Sequence, residues 1–188
     1  MVALCYIAGA VTVYTLGHST LPIDVFLRLL HEHGIRGLAD VRRFPASRRH
    51  PHFSGEALSA TLAQGGIAYE WLPALGGRRA ARPDSPHTGW RVEPFRGYAD
   101  HLETPEFASG IARLVDFAGA RTTAIMCAEA VPWRCHRQIL SDALVVRGVA
   151  VRHIYSGNVA PHRTTSFARL DGERLVYDRG EQGRLPGI

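Results

Sequence analysis

The chain has 188 residues, 46% of them hydrophobic and 21% charged, which supports one buried core and a single domain. Its formal charge of +5 rests on 22 basic residues that are all arginine, with no lysine. A GC-rich genome raises that global count, so only local clusters of arginine count as evidence for phosphate or carboxylate recognition. Three cysteines without scaffold spacing exclude a disulfide framework and predict a reducing, cytoplasmic setting.

The opening segment to Leu16 carries no charged side chain. It lacks the basic start of a signal peptide and is too short to span a bilayer as a helix. We read residues 1–10, with Cys5, as an N-terminal extension and expect no membrane association. Val11 to Leu16 is the first predicted strand. Gly17-His18-Ser19-Thr20 turns into a helix with Ser19 or Thr20 as N-cap, and its apolar face is Ile23, Phe26, Leu27 and Leu30 up to a stop at Gly34. A second strand runs from Gly37 to Val41, a helix from Ser54 to Gln64, and a third strand from Ile67 to Leu72. The Gly-, Pro- and Arg-rich stretch from Gly76 to Phe95 has no periodicity and reads as a lid or binding loop. Thr104-Pro105-Glu106 caps a helix whose Phe107, Ile111, Leu114, Val115 and Ala118 face inward. The fourth strand is Arg121 to Met126, and its following helix carries Ile139, Leu140, Ala143, Leu144 and Val146 before Gly148. Val149 to Ile154 is the fifth strand. Beyond it, Asp171-Gly172 joins two short alternating runs into a β-hairpin within a C-terminal appendage, residues 155–188.

Alternation of strand and helix with short returns predicts a three-layer α/β domain with a mainly parallel sheet of about five strands and a small C-terminal β-hairpin. In such a sheet every strand-to-helix turn lies at the carboxyl edge, where open α/β sheets place their sites. His18 and Ser19 follow the first strand, Asp40, Arg42 and Arg43 the second, Gly76-Gly77-Arg78-Arg79 the third, and Cys127 with Glu129 the fourth. These four clusters should therefore meet.

The strings Tyr14-Thr15-Leu16-Gly17-His18-Ser19, Asp40-Val41-Arg42-Arg43-Phe44-Pro45, Leu75-Gly76-Gly77, Phe95-Arg96-Gly97-Tyr98 and Met126-Cys127-Ala128-Glu129 with Cys135-His136-Arg137 resemble the domain-of-unknown-function family 488. The likeness runs from about Val13 to Tyr177. It implies an α/β domain and leaves the activity open.

The candidate catalytic residues are Cys127, Glu129, His136 and Asp40. Cys127, at a strand end facing a helix N-terminus with Arg134 and Arg137 near, reads as a nucleophile or as a buried cysteine ending its strand. Glu129 reads as general acid, general base or glycosyl nucleophile, and Asp40 as a second carboxylate, unless each serves to orient an arginine. The substrate-binding candidates are His18, Ser19, Arg42, Arg43, Arg48, Arg96, Tyr98, Arg134 and Arg137. The stretch from Arg42 to Phe53 mixes arginines and histidines with Phe44 and Phe53, a composition suited to phosphate contact and base stacking. With no glycine-rich nucleotide fingerprint, no dinucleotide or ATP cofactor is expected. A metal at Cys127, Cys135 and His136 ranks below a metal-free site, because adjacent Cys135 and His136 on a helix would point apart. The expectation is an intracellular enzyme acting on a phosphate-bearing substrate, a nucleotide or nucleic acid, at a Cys/Glu/Arg site. Two alternatives are a nucleic-acid-binding module without catalysis and a nucleoside-directed glycosyl hydrolase or transferase using Glu129.

Overall fold

Side chains on a strand alternate between its two faces, and that alternation builds this domain. The computed structural model describes residues 11–46, 49–155 and 158–179. Strands β1 (Thr12–Gly17), β2 (Gly37–Asp40), β3 (Ala68–Trp71), β4 (Thr123–Cys127) and β5 (Ala150–Tyr155) pair in parallel. A sixth strand, β6 (Asn158–Pro161), adds antiparallel to β5, giving the order β3-β2-β4-β1-β5-β6. Helices α1 (Ile23–Glu32) and α2 (Gly55–Gln64) cover one face, where Phe26, Leu30, Leu58 and Leu62 pack with Leu16, Leu38, Ala124 and Met126. Helices α3 (Glu93–His101), α4 (Pro105–Gly119) and α5 (Arg137–Val145) cover the other, where Tyr98, Phe107, Leu114 and Leu140 pack with Val13, Ala39, Ile125 and Cys127. The expected three-layer α/β fold is therefore the observed one. The hairpin is present as β7 (Ala168–Asp171) and β8 (Arg174–Tyr177), and Gly172 takes the left-handed φ of 61° that its turn requires.

Register brings the motif loops together. Gly17 lies opposite Cys127, and Asp40 lies opposite both Met126 and Trp71. Because β1 to β4 run parallel, the loops after them share one edge, as the sequence argument requires. Cys127 belongs to the same face as Ile125, so its side chain points toward α3 and α5 rather than toward α1.

The sheet of about five strands gains an antiparallel sixth at its edge, and two local expectations need correction. The sixth, Asn158–Pro161, is an edge strand in which proline is tolerated and apolar alternation is minimal. Neither Ser19 nor Thr20 caps α1. The N-cap is Pro22, and Ser19 sits in the turn at φ 45° with its N–H donating to Ala128 O at 2.9 Å. Helix α3 was hidden by Gly97, a poor helix former that this site requires, since a Cβ there would lie 2.2 Å from the carbonyl oxygen of Arg79. The cap at Thr104 is as expected, its hydroxyl accepting from Phe107 N–H at 3.2 Å. Among the described residues no helix is long and apolar enough to cross a membrane. The expected N-terminal extension with Cys5 lies outside the described residues.

Candidate active site

The edge where the loops meet encloses a cavity of about 350 Å³. Its floor is made by Cys127 at the end of β4 together with Cys135 and His136, which lead into α5. Cys135 is extended, with φ −140° and ψ 154°, because it closes a 3-10 turn at Pro132–Arg134. Helical geometry begins only at the next residue, so the side chains of Cys135 and His136 converge instead of fanning apart. His136 Nδ1 lies 3.5 Å from Cys135 Sγ and 4.0 Å from Cys127 Sγ. His136 Nε2 lies 3.2 Å from the carbonyl oxygen of Val41, which assigns the ring proton to Nε2 and leaves a lone pair on Nδ1 facing the sulfurs.

The walls carry the charge. Arg42, Arg43, Arg78 and Arg134 line the cavity, and Glu129 is the one carboxylate among its lining residues. Arg42 is committed elsewhere: its guanidinium grips both oxygens of Asp40, and its Nη1 donates to His18 Nε2 at 3.3 Å. Arg43 donates to Arg78 O at 3.0 Å, and Arg78 holds a left-handed φ of 61°. No carboxylate among the described residues pairs with Arg43, Arg78 or Arg134. Phe44, 63% exposed, stands on the rim with the Arg43 guanidinium 5.9 Å from its ring centre.

Electrostatics divide the two thiols. A hydrogen bond to Cys135, reinforced by burial, pushes the Cys127 thiol up to about 12. Burial works against a thiolate at Cys135, but the hydrogen bond from Cys127 and the nearby Arg137 guanidinium outweigh it and bring Cys135 down to about 6. The hydrogen bond that the two thiols share thus shifts them in opposite directions, Cys127 up and Cys135 down.

Several expected site residues support the cavity rather than face it. Asp40 has no exposed surface, and its carboxylate accepts from Arg42 and from Tyr69 Oη at 2.8 Å. It is not among the cavity's lining residues. Arg137 is 1% exposed and donates to Thr15 Oγ1 and to the carbonyls of Glu129 and Ala130, so it clamps the loop and does not reach a substrate. Tyr98 is wholly buried, donates to Leu75 O at 2.8 Å and backs His136 with ring centres 5.0 Å apart. Arg96 and Ser19 are not among the cavity's lining residues. Trp90, in the expected lid loop, stacks on Phe95 and packs against Phe167 and Tyr177 of the C-terminal region. Arg48 lies outside the described residues. His18 lines the cavity as a neutral ring, stacked on Phe53 at 4.2 Å, with Nδ1–H donating to Ser19 O. Gly77 and Arg78, in the cluster expected to converge here after the third strand but given no role of their own, both line the cavity. A Cβ on Gly77 would lie 2.7 Å from His136 Nδ1.

Burial of histidines gives the fold a predictable acid sensitivity. Burial first, then His162 and Arg137, lowers His153 to about 3, and burial with Arg42 lowers His18 to about 4. An unfolded histidine titrates near about 6.5. Between these limits the unfolded chain binds protons that the native state refuses, so stability is full above about pH 6.5 and falls as pH drops toward about 4. Thermal melts across that range should show a falling Tm, with a shallower slope in His153→Gln. A wild-type Tm indifferent to pH over this interval would contradict the assignment.

No curated protein and no solved structure matches the chain. A family model described as "Domain of unknown function DUF488" matches residues 22–144. That span holds every residue lining the cavity except His18. The chain belongs to that family of domains of unknown function.

Proposed function

We propose that this protein is an enzyme acting on a phosphate-bearing substrate, a nucleotide or a nucleic-acid end, with the anion held by Arg43, Arg78 and Arg134 over the Cys127, Cys135 and His136 floor. The observation that carries this reading is the charge imbalance of the cavity: three guanidiniums with no carboxylate partner among the described residues surround a floor of two thiols and an imidazole. Unpaired guanidiniums around a concave site favour a multiply charged anion. The volume of about 350 Å³ suits a small ligand. Exposed Phe44 beside Arg43 offers a stacking face for a base. Glu129, exposed on the cavity wall, is placed to move a proton. With Asp40 buried, the glycosidase variant has no second carboxylate among the described residues that line the cavity. The non-catalytic binding reading draws on exposed Trp133 and Phe44, which a single strand could use without any bond being broken.

The test is titration with inorganic phosphate, a nucleotide series and short single-stranded oligonucleotides, followed by product analysis of whichever ligand binds. Replacing Arg43 and Arg134 together by Gln should weaken binding at least about tenfold and reduce its salt dependence. Glu129→Gln should keep affinity and lose about 10²–10⁴-fold in turnover. Unchanged affinity in the arginine variant ends the anion reading. Unaltered turnover in Glu129→Gln removes Glu129 from the chemistry, and ligand binding without any product favours the binding module.

A further inference from the structure

We propose that Cys127 Sγ, Cys135 Sγ and His136 Nδ1 are three ligands of a tetrahedral zinc ion whose fourth position opens into the arginine-lined cavity. The three donor atoms lie within 4.8 Å of one another. Zinc–sulfur bonds of about 2.3 Å and zinc–nitrogen bonds of about 2.0 Å, at tetrahedral angles, place S and N about 3.5 Å and two S atoms about 3.8 Å apart. The observed S···N separations of 3.5 and 4.0 Å need only a few tenths of an ångström of closure.

Three further features point to a ligand here. His136 gives its Nε2 proton to the Val41 carbonyl, the outer contact that fixes a ligating imidazole with its other nitrogen bare. Gly77 leaves that nitrogen uncovered, since any side chain there would press on Nδ1. Both cysteines are nearly buried, 6% and 4% exposed, yet both line the cavity, so an ion would be shielded by protein and reachable from one side. Two thiolates and an imidazole form a soft donor set that selects zinc over magnesium or calcium. Three protein ligands with one open position is the arrangement of catalytic rather than structural zinc. The open position faces a space shared with Glu129 and the unpaired arginines, and a catalytic use for it rests on the anion-substrate reading above.

The experiment is metal analysis of the full chain purified under reducing conditions without chelator, with cobalt substitution as a spectroscopic probe. We expect close to one zinc per chain, visible d–d bands and a thiolate-to-cobalt charge-transfer band in the cobalt form, and slow alkylation of Cys127 and Cys135 that a chelator accelerates. Cys127→Ser and His136→Gln should each weaken zinc binding by more than about a hundredfold, beyond the loss typical of an outer contact. Gly77→Ala, which keeps all three ligands, should also weaken it. Should a ligand variant fail to fold, the wild-type cobalt spectrum and the chelator effect still decide. A wild-type chain that takes up neither zinc nor cobalt, with thiols indifferent to chelator, overturns the proposal and leaves the anion reading standing. Tight zinc with no phosphate ligand does the reverse.

Discussion

Gly17→Ala is expected to destroy the fold's stability and the site together. An alanine Cβ at this position would lie 1.7 Å from the carbonyl oxygen of Glu129 and 2.9 Å from Arg137 Nη2. The first neighbour is backbone, so no side-chain rotation relieves the clash. The loop after β4 crosses directly over the end of β1, tied there by His18 N–H to Cys127 O and Ser19 N–H to Ala128 O, at 3.0 and 2.9 Å. Arg137 then grips the carbonyls of Glu129 and Ala130 from behind. A single methyl group must lift this loop, break both backbone hydrogen bonds and leave a buried guanidinium short of acceptors. Overpacking costs about 1–3 kcal/mol on its own, and the lost polar contacts bring the total to at least about 4 kcal/mol, a large part of the roughly 5–15 kcal/mol that holds a domain together. Gly119→Ala, at the end of α4 with open space around it, is the control and should be neutral or slightly stabilising. Circular-dichroism melts of both variants settle the point. A Gly17→Ala protein that melts with the wild type would show that the loop does not cross where the structure places it.

How much of this was legible in the sequence depends on what kind of fact is asked for. The convergence of His18, Arg43, Cys127 and Glu129 follows from alternation of strand and helix alone, because parallel strands send all their exits to one edge. Whether a polar residue at that edge faces the cavity or the core is a different question. Arg137 precedes Leu140 by three residues and Leu144 by seven, so it lies on the apolar stripe of α5. That spacing was a readable sign of burial, and the attraction of Arg for phosphate obscured it. For Asp40 the alternative that it orients an arginine was readable from Arg42 two residues on, whereas its second partner, Tyr69, is brought in only by the β2–β3 pairing. Cys135 and His136 converge because Cys135 precedes α5 in extended geometry instead of lying on the helix, and one extended residue redirects a side chain entirely.

Asp142→Ala carries the second large expected effect, through a network no local pattern announces. Asp142 is fully buried in α5. Its carboxylate accepts from His162 Nε2 at 2.7 Å, Thr165 N at 3.0 Å, Thr165 Oγ1 at 2.7 Å and Tyr177 Oη at 3.0 Å, which joins α5 to the segment after β6 and to β8. With His162 donating to Asp142, His162 Nδ1 accepts from His153 Nε2 at 2.9 Å, and His153 Nδ1 accepts from Thr15 Oγ1 at 2.8 Å. Thr15 Oγ1 in turn accepts from Arg137 Nη1. Every donor in this chain points the same way, from the buried guanidinium of Arg137 to the buried carboxylate of Asp142, so each hydrogen bond polarises the next. Both ends belong to α5, five residues apart, and the relay between them loops out through β1, β5 and the segment after β6. Truncating Asp142 leaves four donors without an acceptor and removes the carboxylate that ends the relay from Arg137, which should cost about 3–5 kcal/mol. For a chain of this length that lowers Tm by about 6–20 °C. Asp142→Asn keeps one acceptor oxygen and should lose less. Hydrogen exchange adds the directional readout: protection should fall in residues 158–177 and also in the loop after β4 that Arg137 clamps. If exchange rises only in the C-terminal segment, the relay through His153 and Thr15 does not connect Asp142 to the cavity.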